Sequence, residues 1–353
     1  MAIQKIDIET FLTLSKSNPV FDVRSPGEYS HAHIPNAISL PLFSDEERKV
    51  VGTLYKQKSR QDAIKAGLDF FGVKMKAMVE EVEAHFKKHK PSHLPEDNPT
   101  IIVHCWRGGM RSAGVAWLLD LYGFKVYTIV GGYKAYRKWV LAQFEKKYPV
   151  KVLGGYTGSG KTLLIQELQK QEKCVIDLEG LAGHRGSAFG NIGLPKQCSQ
   201  EQFENSLALS LYHVSQKAIN NNEYIWLEDE SQRIGDVNIP ITFWQQMREA
   251  DLYFLDVPFE ERLLHIMSMY GNLDKMKMIN AIIRIKKRLG GLDAKDAVNA
   301  FMEDRIADCF RILLRYYDKQ YMKGMESRVN LNEKRTIIPC DDVALHNVNK
   351  LFD

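Results

Sequence analysis

His104-Cys105-Trp106-Arg107-Gly108-Gly109-Met110-Arg111-Ser112 is the stretch on which the reading of this chain turns. Upstream, Pro99 is followed by the apolar run 100–103, which reads as a buried strand. Downstream, residues 113–122 have the apolar spacing of a helix. Cys105 is therefore expected at a strand end, in a loop that feeds a helix N-terminus. Gly108 and Gly109 let the backbone curl so that its N–H groups point inward, and Arg107 and Arg111 add fixed positive charge. Such a cradle lowers a thiol pKa and holds an anion beside the sulfur. An inert buried cysteine would need none of these neighbours, whereas strand, glycines, arginines and helix start all agree here.

A chain of 353 residues exceeds one typical domain, so two or three are expected. An apolar fraction of 44% suffices for packed cores. The net charge of +4 permits a nucleic-acid partner without demanding one. The cysteines (Cys105, Cys174, Cys198, Cys309, Cys340) show no C-x-x-C spacing. That argues against a structural zinc and a disulfide framework, and suits a reducing, cytoplasmic location. The N-terminus lacks the pattern of a signal peptide. No apolar run reaches the ~18 residues of a membrane span, so no membrane association is expected.

Outward from the cysteine loop, residues 3–16 read as a short strand and helix. Pro19-Val20-Phe21-Asp22-Val23-Arg24 is a strand ending in charge, and Ser25-Pro26-Gly27-Glu28-Tyr29 a turn into a short helix. His33-Ile34-Pro35-Asn36-Ala37-Ile38-Ser39-Leu40-Pro41 is extended and punctuated by prolines. Residues 43–90 are helical elaboration, and 91–99 a polar, proline-rich loop. A strand at 125–130 leads through Gly131-Gly132-Tyr133 into a helix at 134–147. The order Asp-Val-Arg, Glu-Tyr, His-Ile-Pro-x-Ala and cysteine loop resembles the rhodanese family over residues 3–140. Ala32 and Asn36 stand where that family usually has glycines in turns. The resemblance implies an α/β domain with a parallel sheet and a catalytic cysteine at a strand C-terminus.

A second domain follows with almost no linker. The strand 150–153 runs into Gly154-Gly155-Tyr156-Thr157-Gly158-Ser159-Gly160-Lys161-Thr162, which matches G-x-x-x-x-G-K-[ST] between a strand and a helix at 163–170. The backbone N–H groups from Gly155 through Thr157, Gly158, Ser159 and Gly160, with the helix N-terminus, are expected to bind phosphate oxygens. Lys161 adds a cation, and the Thr162 hydroxyl is placed to ligate magnesium. After a strand at 174–178, residues 180–190 are too glycine-rich for a helix and carry His184, Arg185 and Ser187. They read as a substrate loop over the phosphate site, or as a plain solvated loop. A helix at 199–220 precedes a strand at 224–227 that ends in Glu228-Asp229-Glu230-Ser231-Gln232-Arg233. Acids at such a strand end usually orient magnesium or its water. Three in a row leave the acting residue open. After a strand at 251–256, the chain is largely helical and lid-like over 259–331. There Arg284, Lys286, Lys287 and Arg288 form a basic run before Gly290-Gly291. It is either a solvated helix face or an RNA contact. Arg311, Arg315, Lys319 and Lys323 recur at helical spacing and extend it. The tail 335–353 reads as a strand and a helix.

The fold expected is thus a rhodanese-like parallel-sheet domain at 1–147 followed by a P-loop NTPase-like α/β domain at 148–353, helical toward its C-terminal part. Five residues separate Cys105 from Arg111, so the loop also fits His-Cys-x5-Arg, the pattern of cysteine phosphatases. Sulfur-transferring rhodaneses usually have a loop one residue shorter. The longer loop makes an anion cradle wide enough for a tetrahedral phosphate. Cys105 can then attack phosphorus, or accept a chalcogen from a phosphate-bearing donor such as selenophosphate. Three readings follow: a chalcogen transferase, a cysteine phosphatase fused to an ATP-dependent small-molecule kinase, and a nucleotide-gated binding module.

The rhodanese-like residues joined directly to the P-loop, with His184-Arg185-Gly186-Ser187 and Arg288-Leu289-Gly290-Gly291, closely resemble the tRNA 2-selenouridine synthase family over nearly the full chain. That resemblance implies a two-step reaction on a wobble 2-thiouridine of tRNA. The sulfur is first alkylated by geranyl diphosphate, and the S-geranyl group is then replaced by selenium from selenophosphate. It implies that residues 155–162 hold the prenyl diphosphate with magnesium, assisted by Arg185. It also implies that Cys105 forms a selenium-bearing intermediate, with Arg107, Arg111 and loop amides holding phosphate. tRNA is the implied macromolecular partner, and a selenophosphate-producing enzyme a donor partner.

Overall fold

The computed structural model describes residues 3–89, 98–187, 189–270 and 274–352. They form two units, one ending at Ala142 and one beginning at Gln143. The first contains, in order, β1 (Gln4–Ile6), α1 (Ile8–Leu14), β2 (Val20–Asp22), α2 (Pro26–His31), β3 (Ile38–Ser39), α3 (Asp45–Gln57), α4 (Arg60–Gly72), α5 (Met75–His89), β4 (Thr100–His104), α6 (Met110–Tyr122), β5 (Lys125–Ile129) and α7 (Gly132–Gln143). Its five strands pair in parallel in the order β1-β5-β4-β2-β3. A strand covered on both faces reads as a continuous apolar run. β4, buried from Ile101 to His104, is that strand. Phe21, Val23, Ile101, Val103, Val115 and Leu119 pack with Phe71, Met78 and Val82 of the helical insertion, so residues 43–89 share the core of the sheet.

Local chemistry sets the helix starts. Asp7 accepts from Thr10 N at the head of α1, and Ser44 and Glu47 form a capping box on α3. α6 starts at Met110, three residues before the apolar pattern begins, because Gly109 ends the cysteine loop and serves as its cap. α7 spans Gly132–Gln143 rather than 134–147. Its early start comes from Tyr133 and Lys134, whose amides donate to the carbonyls of Cys105 and Trp106. Most of the proline-rich loop expected at 91–99 lies outside the described residues.

The second unit contains β6 (Val150–Gly155), α8 (Lys161–Lys170), β7 (Val175–Ile176), α9 (Leu178–Ala182), α10 (Gln200–Asn221), β8 (Ile225–Glu228), β9 (Arg233–Ile234), β10 (Val237–Asn238), α11 (Ile241–Glu249), β11 (Asp251–Asp256), α12 (Phe259–Tyr270), α13 (Lys275–Leu289), α14 (Gly291–Met302), α15 (Ile306–Glu326), α16 (Leu331–Lys334), β12 (Arg335–Pro339) and a closing 3-10 turn at Leu345–Leu351. Its main sheet is again wholly parallel, in the order β12-β11-β6-β8-β7. β6 is central, so the loop after it opens at the carboxyl edge between β8 and β11, where parallel sheets bind ligands. Helices α12–α15 build a separate core from Met278, Ile282, Ile285, Phe301, Phe310 and Leu313.

The loop expected at 180–190 begins later than its glycines suggest. Gly180, Leu181 and Ala182 are helical, not loop. Asp177 caps α9 by accepting from Gly180 N, and left-handed Gly183 ends it. A local cap has outweighed a glycine's low helix propensity.

Candidate active site

The first site is built on the end of β4. Cys105 is buried at 3% exposure. Its Sγ lies 3.3 Å from Ser112 Oγ, whose single hydroxyl proton goes to the thiolate or, when the sulfur is protonated, to Gly109 O at 3.2 Å. Burial by itself raises the thiol pKa. The Ser112 hydroxyl, the Ser112 amide, the Arg111 charge and the Arg107 amide outweigh it, and the thiol sits below its ordinary value. Gly108 turns the loop with φ +64°. Arg111 is fixed by Glu28 at 2.6 and 3.2 Å, and Arg48 approaches the same carboxylate at 3.7 Å. Arg107 and Gly109 are exposed at the loop rim.

Beneath the loop, Arg24 pairs with Asp22 at 2.6 Å, donates to Ala32 O at 2.7 Å and stacks 3.9 Å over the Tyr133 ring. His104 is fully buried, with Nε2 3.8 Å from Asp22. Burial holds its pKa below the ordinary value, so the ring is a neutral strut. Gly132 is a site residue that the sequence patterns do not flag. A Cβ there would fall 2.3 Å from Cys105 O and 2.5 Å from Gly108 N. The turn after β5 is thus the wall against which the cysteine loop is moulded. The adjacent Gly131-Gly132 pair is its only trace in the sequence.

The second site follows β6. Lys161 Nζ donates to Gly155 O at 2.8 Å, and Thr162 Oγ1 donates to Glu179 at 3.1 Å. Ser159 Oγ is buried and has no hydrogen-bond partner among the described residues. Glu228, at the end of β8 and paired in register with Leu153, is fully buried with neither carboxylate oxygen hydrogen-bonded among the described residues. Burial, then Glu179 and Asp177, push its pKa up to about 8. Burial, then Glu179 and Glu228, raise Glu230 well above the carboxylate range. Glu179 is likewise raised, first by burial, against the pull of Lys161 and Thr162.

The three consecutive acids therefore divide. Glu228 and Glu230 converge with Glu179 beside Lys161 and Thr162. Asp229 turns away, held by Arg328 and by Tyr321 Oη at 2.6 Å. Tyr321 Oη also accepts from Gly155 N at 3.2 Å. Arg262, nearly fully buried, donates to Thr157 O at 3.1 Å and grips Asp318 through two bonds of 2.8 Å. Tyr321 and Arg262 thus brace the phosphate loop from α15 and α12. Neither belongs to a recognisable motif.

A Cβ on Gly186 would fall 2.8 Å from Glu179 and 2.9 Å from Glu230, so the loop carrying His184, Arg185 and Ser187 lies against the acidic group. Arg185 acts electrostatically on Glu179. Arg284 acts on His184, which brings the head of the α13 basic run to this loop. Lys286, Lys287 and Arg288 are exposed on α13. Arg233 extends its exposed side chain from the β9–β10 ribbon, bonded to Gly235 O at 2.7 Å, and is not brought to the acids by any of these contacts.

The profile of the tRNA 2-selenouridine synthase AAA domain matches residues 148–336, more than half of the chain, and that of the rhodanese-like domain matches residues 8–138. The chain belongs to the tRNA 2-selenouridine synthase family. It is 34% identical over 354 residues to a tRNA 2-selenouridine synthase of Sulfurovum sp. strain NBC37-1, covering 91% of each chain. It is 33% identical over 364 residues to that of Shewanella denitrificans, covering 94% of each. The match to that of Shewanella sediminis is 35% over 366 residues, covering 93% of this chain and 92% of the other. The cysteine loop and the phosphate loop thus belong to one family architecture. Among the described residues, no helix is long and apolar enough to cross a membrane.

Proposed function

We propose that the chain converts wobble 2-thiouridine of tRNA to 2-selenouridine in two steps, each served by one loop. The observation that carries this reading is an activated cysteine cradle and a complete phosphate loop in one chain of this family. In the first step the base sulfur attacks C1 of geranyl diphosphate. The S–C bond forms as the C–O bond to diphosphate breaks, the N3 proton of the base is released to solvent, and negative charge grows on the leaving group. The amides of residues 155–162 and the Lys161 ammonium stabilise that charge.

The oxygen set beside the loop fits magnesium. Thr162 Oγ1 and Glu179 lie together, and buried Glu228 offers two oxygens without a partner among the described residues. Magnesium is typically held by one or two carboxylates together with substrate phosphates. When bound, it would neutralise diphosphate charge and draw the proton from Glu228. Arg185, on the loop against Glu179, adds positive charge on the open side.

In the second step, selenium from selenophosphate replaces the S-geranyl group at C2 of the base. Alkylation has turned a thiocarbonyl into a C–S single bond that can break. Cys105 receives the donor, with Arg107, Arg111 and the loop amides as the anion cradle. The exposed residues Arg284, Lys286, Lys287 and Arg288 hold tRNA phosphates. The target base is turned out of its stack to reach either loop.

The deciding experiment is mass spectrometry of tRNA nucleosides after incubation of the chain with 2-thiouridine-containing tRNA, geranyl diphosphate and magnesium. An S-geranyl nucleoside is expected without selenophosphate, and 2-selenouridine with it. Cys105→Ala should abolish the second product and spare the first. Unmodified RNA beside an active control enzyme would overturn the reading in favour of a phosphatase–kinase pair.

A further inference from the structure

The identity of the atom that Cys105 attacks follows from electron counting and from the shape of its loop. Selenophosphate holds selenium at the selenide level on pentavalent phosphorus. If the thiolate took the selenium, the Cys105 S–Se product would require two electrons to move onto phosphorus. Phosphorus would then leave at the phosphite level, or an oxidant would be needed. Neither belongs to the proposed reaction. Attack on phosphorus needs no redox partner.

The loop is also built for phosphorus. Five residues separate Cys105 from Arg111, and the Arg107 and Ser112 amides already point at the sulfur. The first turn of α6 starts at Met110 with no side-chain cap, so its N–H groups are available to a ligand. The Arg111 guanidinium is locked at the rim by Glu28. A ring of donors around a buried thiolate suits the three equatorial oxygens of a phosphoryl group in flight. Cleaving an oxygen ester would also require an acid for the alkoxide. The carboxylates that support this loop, Asp22 and Glu28, are committed to Arg24 and to Arg111 with Arg48. Hydrogen selenide is a far weaker base than an alkoxide and leaves without an acid.

We propose that Cys105 attacks the phosphorus of selenophosphate, so that the loop is a phosphoryl acceptor that releases hydrogen selenide. The inference rests on selenophosphate being the donor. The Sγ–P bond forms from the thiolate pair, and the P–Se bond breaks with its electrons going to selenium. The selenide leaves as its hydrogen anion, keeping the proton of the monoprotonated donor. Water then adds to phosphorus, inorganic phosphate departs, and the Cys105 thiolate returns beside the Ser112 hydroxyl. The released hydrogen selenide adds to C2 of the S-geranyl base, the geranyl thiolate leaves, and the proton settles on N3. Every step is redox-neutral.

Two readouts on the full chain test this. Rapid quenching after mixing with selenophosphate and S-geranyl tRNA, followed by mass spectrometry of the Cys105 peptide, should find added HPO3 without selenium's isotope pattern, stable to dithiothreitol. Selenium on that peptide, or product formation with no phosphoryl group on Cys105 at any quench time, overturns the proposal. In the second readout, Cys105→Ala should lose selenation from selenophosphate but regain it when hydrogen selenide is supplied, above a protein-free control. Failure of hydrogen selenide to rescue a variant that still geranylates tRNA also overturns it. If the unaltered chain releases no phosphate from selenophosphate, the donor assignment itself fails. That outcome is distinct from the first two.

Discussion

At the scale of single residues, the balance at Cys105 decides whether the loop is reactive. Burial opposes the thiolate, and Ser112, two amides and Arg111 overcome it. A hydrogen bond to a charged group is worth about 1.5–3 kcal/mol, enough to reverse a modest burial penalty. Ser112→Ala removes the largest of the favourable contributions. The thiol pKa should rise, and the pH midpoint for alkylation of Cys105 by iodoacetamide should move upward with it. Below both midpoints, a midpoint higher by one pH unit leaves about tenfold less thiolate and slows alkylation to match. An unmoved midpoint would assign the activation to Arg111 and the helix terminus instead. Gly132 belongs to this scale too, because a single methyl group there would occupy space already filled by the Cys105 carbonyl.

At the scale of elements, the helical half of the second unit is fastened to the phosphate loop through buried polar contacts. Tyr321 of α15 links Gly155 N to Asp229, and Arg328 closes the other side of that carboxylate while donating to Met247 O at 2.9 Å. Asp229 is therefore read as the clasp between β8 and α15, not as a third site acid. Removing one partner of a buried ion pair leaves the other charge uncompensated, at a cost of about 3–5 kcal/mol. Asp229→Ala should lower the urea-denaturation stability of this unit by about that amount. Arg233→Ala, which trims an exposed side chain, should change it by less than about 0.5 kcal/mol. Equal effects from the two would mean that the clasp contributes little.

At the scale of the whole molecule, a net charge of +4 over 353 residues is too small to attract RNA by itself. Affinity for tRNA must come from local concentrations of charge, and α13 supplies one. Each RNA phosphate that a basic side chain ceases to neutralise lowers the slope of log affinity against log salt by about one. Reversing both Lys286 and Lys287 to glutamate should reduce that slope by about two and weaken binding to all tRNAs alike. Unchanged affinity and slope in a tRNA titration would move the RNA-binding face elsewhere.

The cysteine loop and the phosphate loop were legible in the sequence because their chemistry is local. A strand, a glycine-rich turn and a helix start follow one another directly at Cys105 and again at Gly155. Hydrophobic period and backbone freedom alone fix those elements. The helical insertion at 43–89 and the parallel strands were readable for the same reason, as runs of one period. The partners that complete each site come from distant segments with no pattern of their own. Glu28, 83 residues before Arg111, orients that guanidinium. Gly132 walls the cysteine loop, Glu179 accepts from Thr162, and Tyr321 reaches Gly155 N across 166 residues. The division of Glu228, Asp229 and Glu230 between site and clasp was equally beyond the sequence. Adjacent residues on an extended backbone point to opposite sides, and only packing decides which side is buried. Local chain chemistry was thus enough for the two loops and for the strands and helices that flank them, but not for α9, the β9–β10 ribbon or α11. Which charges meet across those loops was left to tertiary packing, because burial and charge pairing depend on proximity in space, and residues far apart in the chain carry no local mark of it.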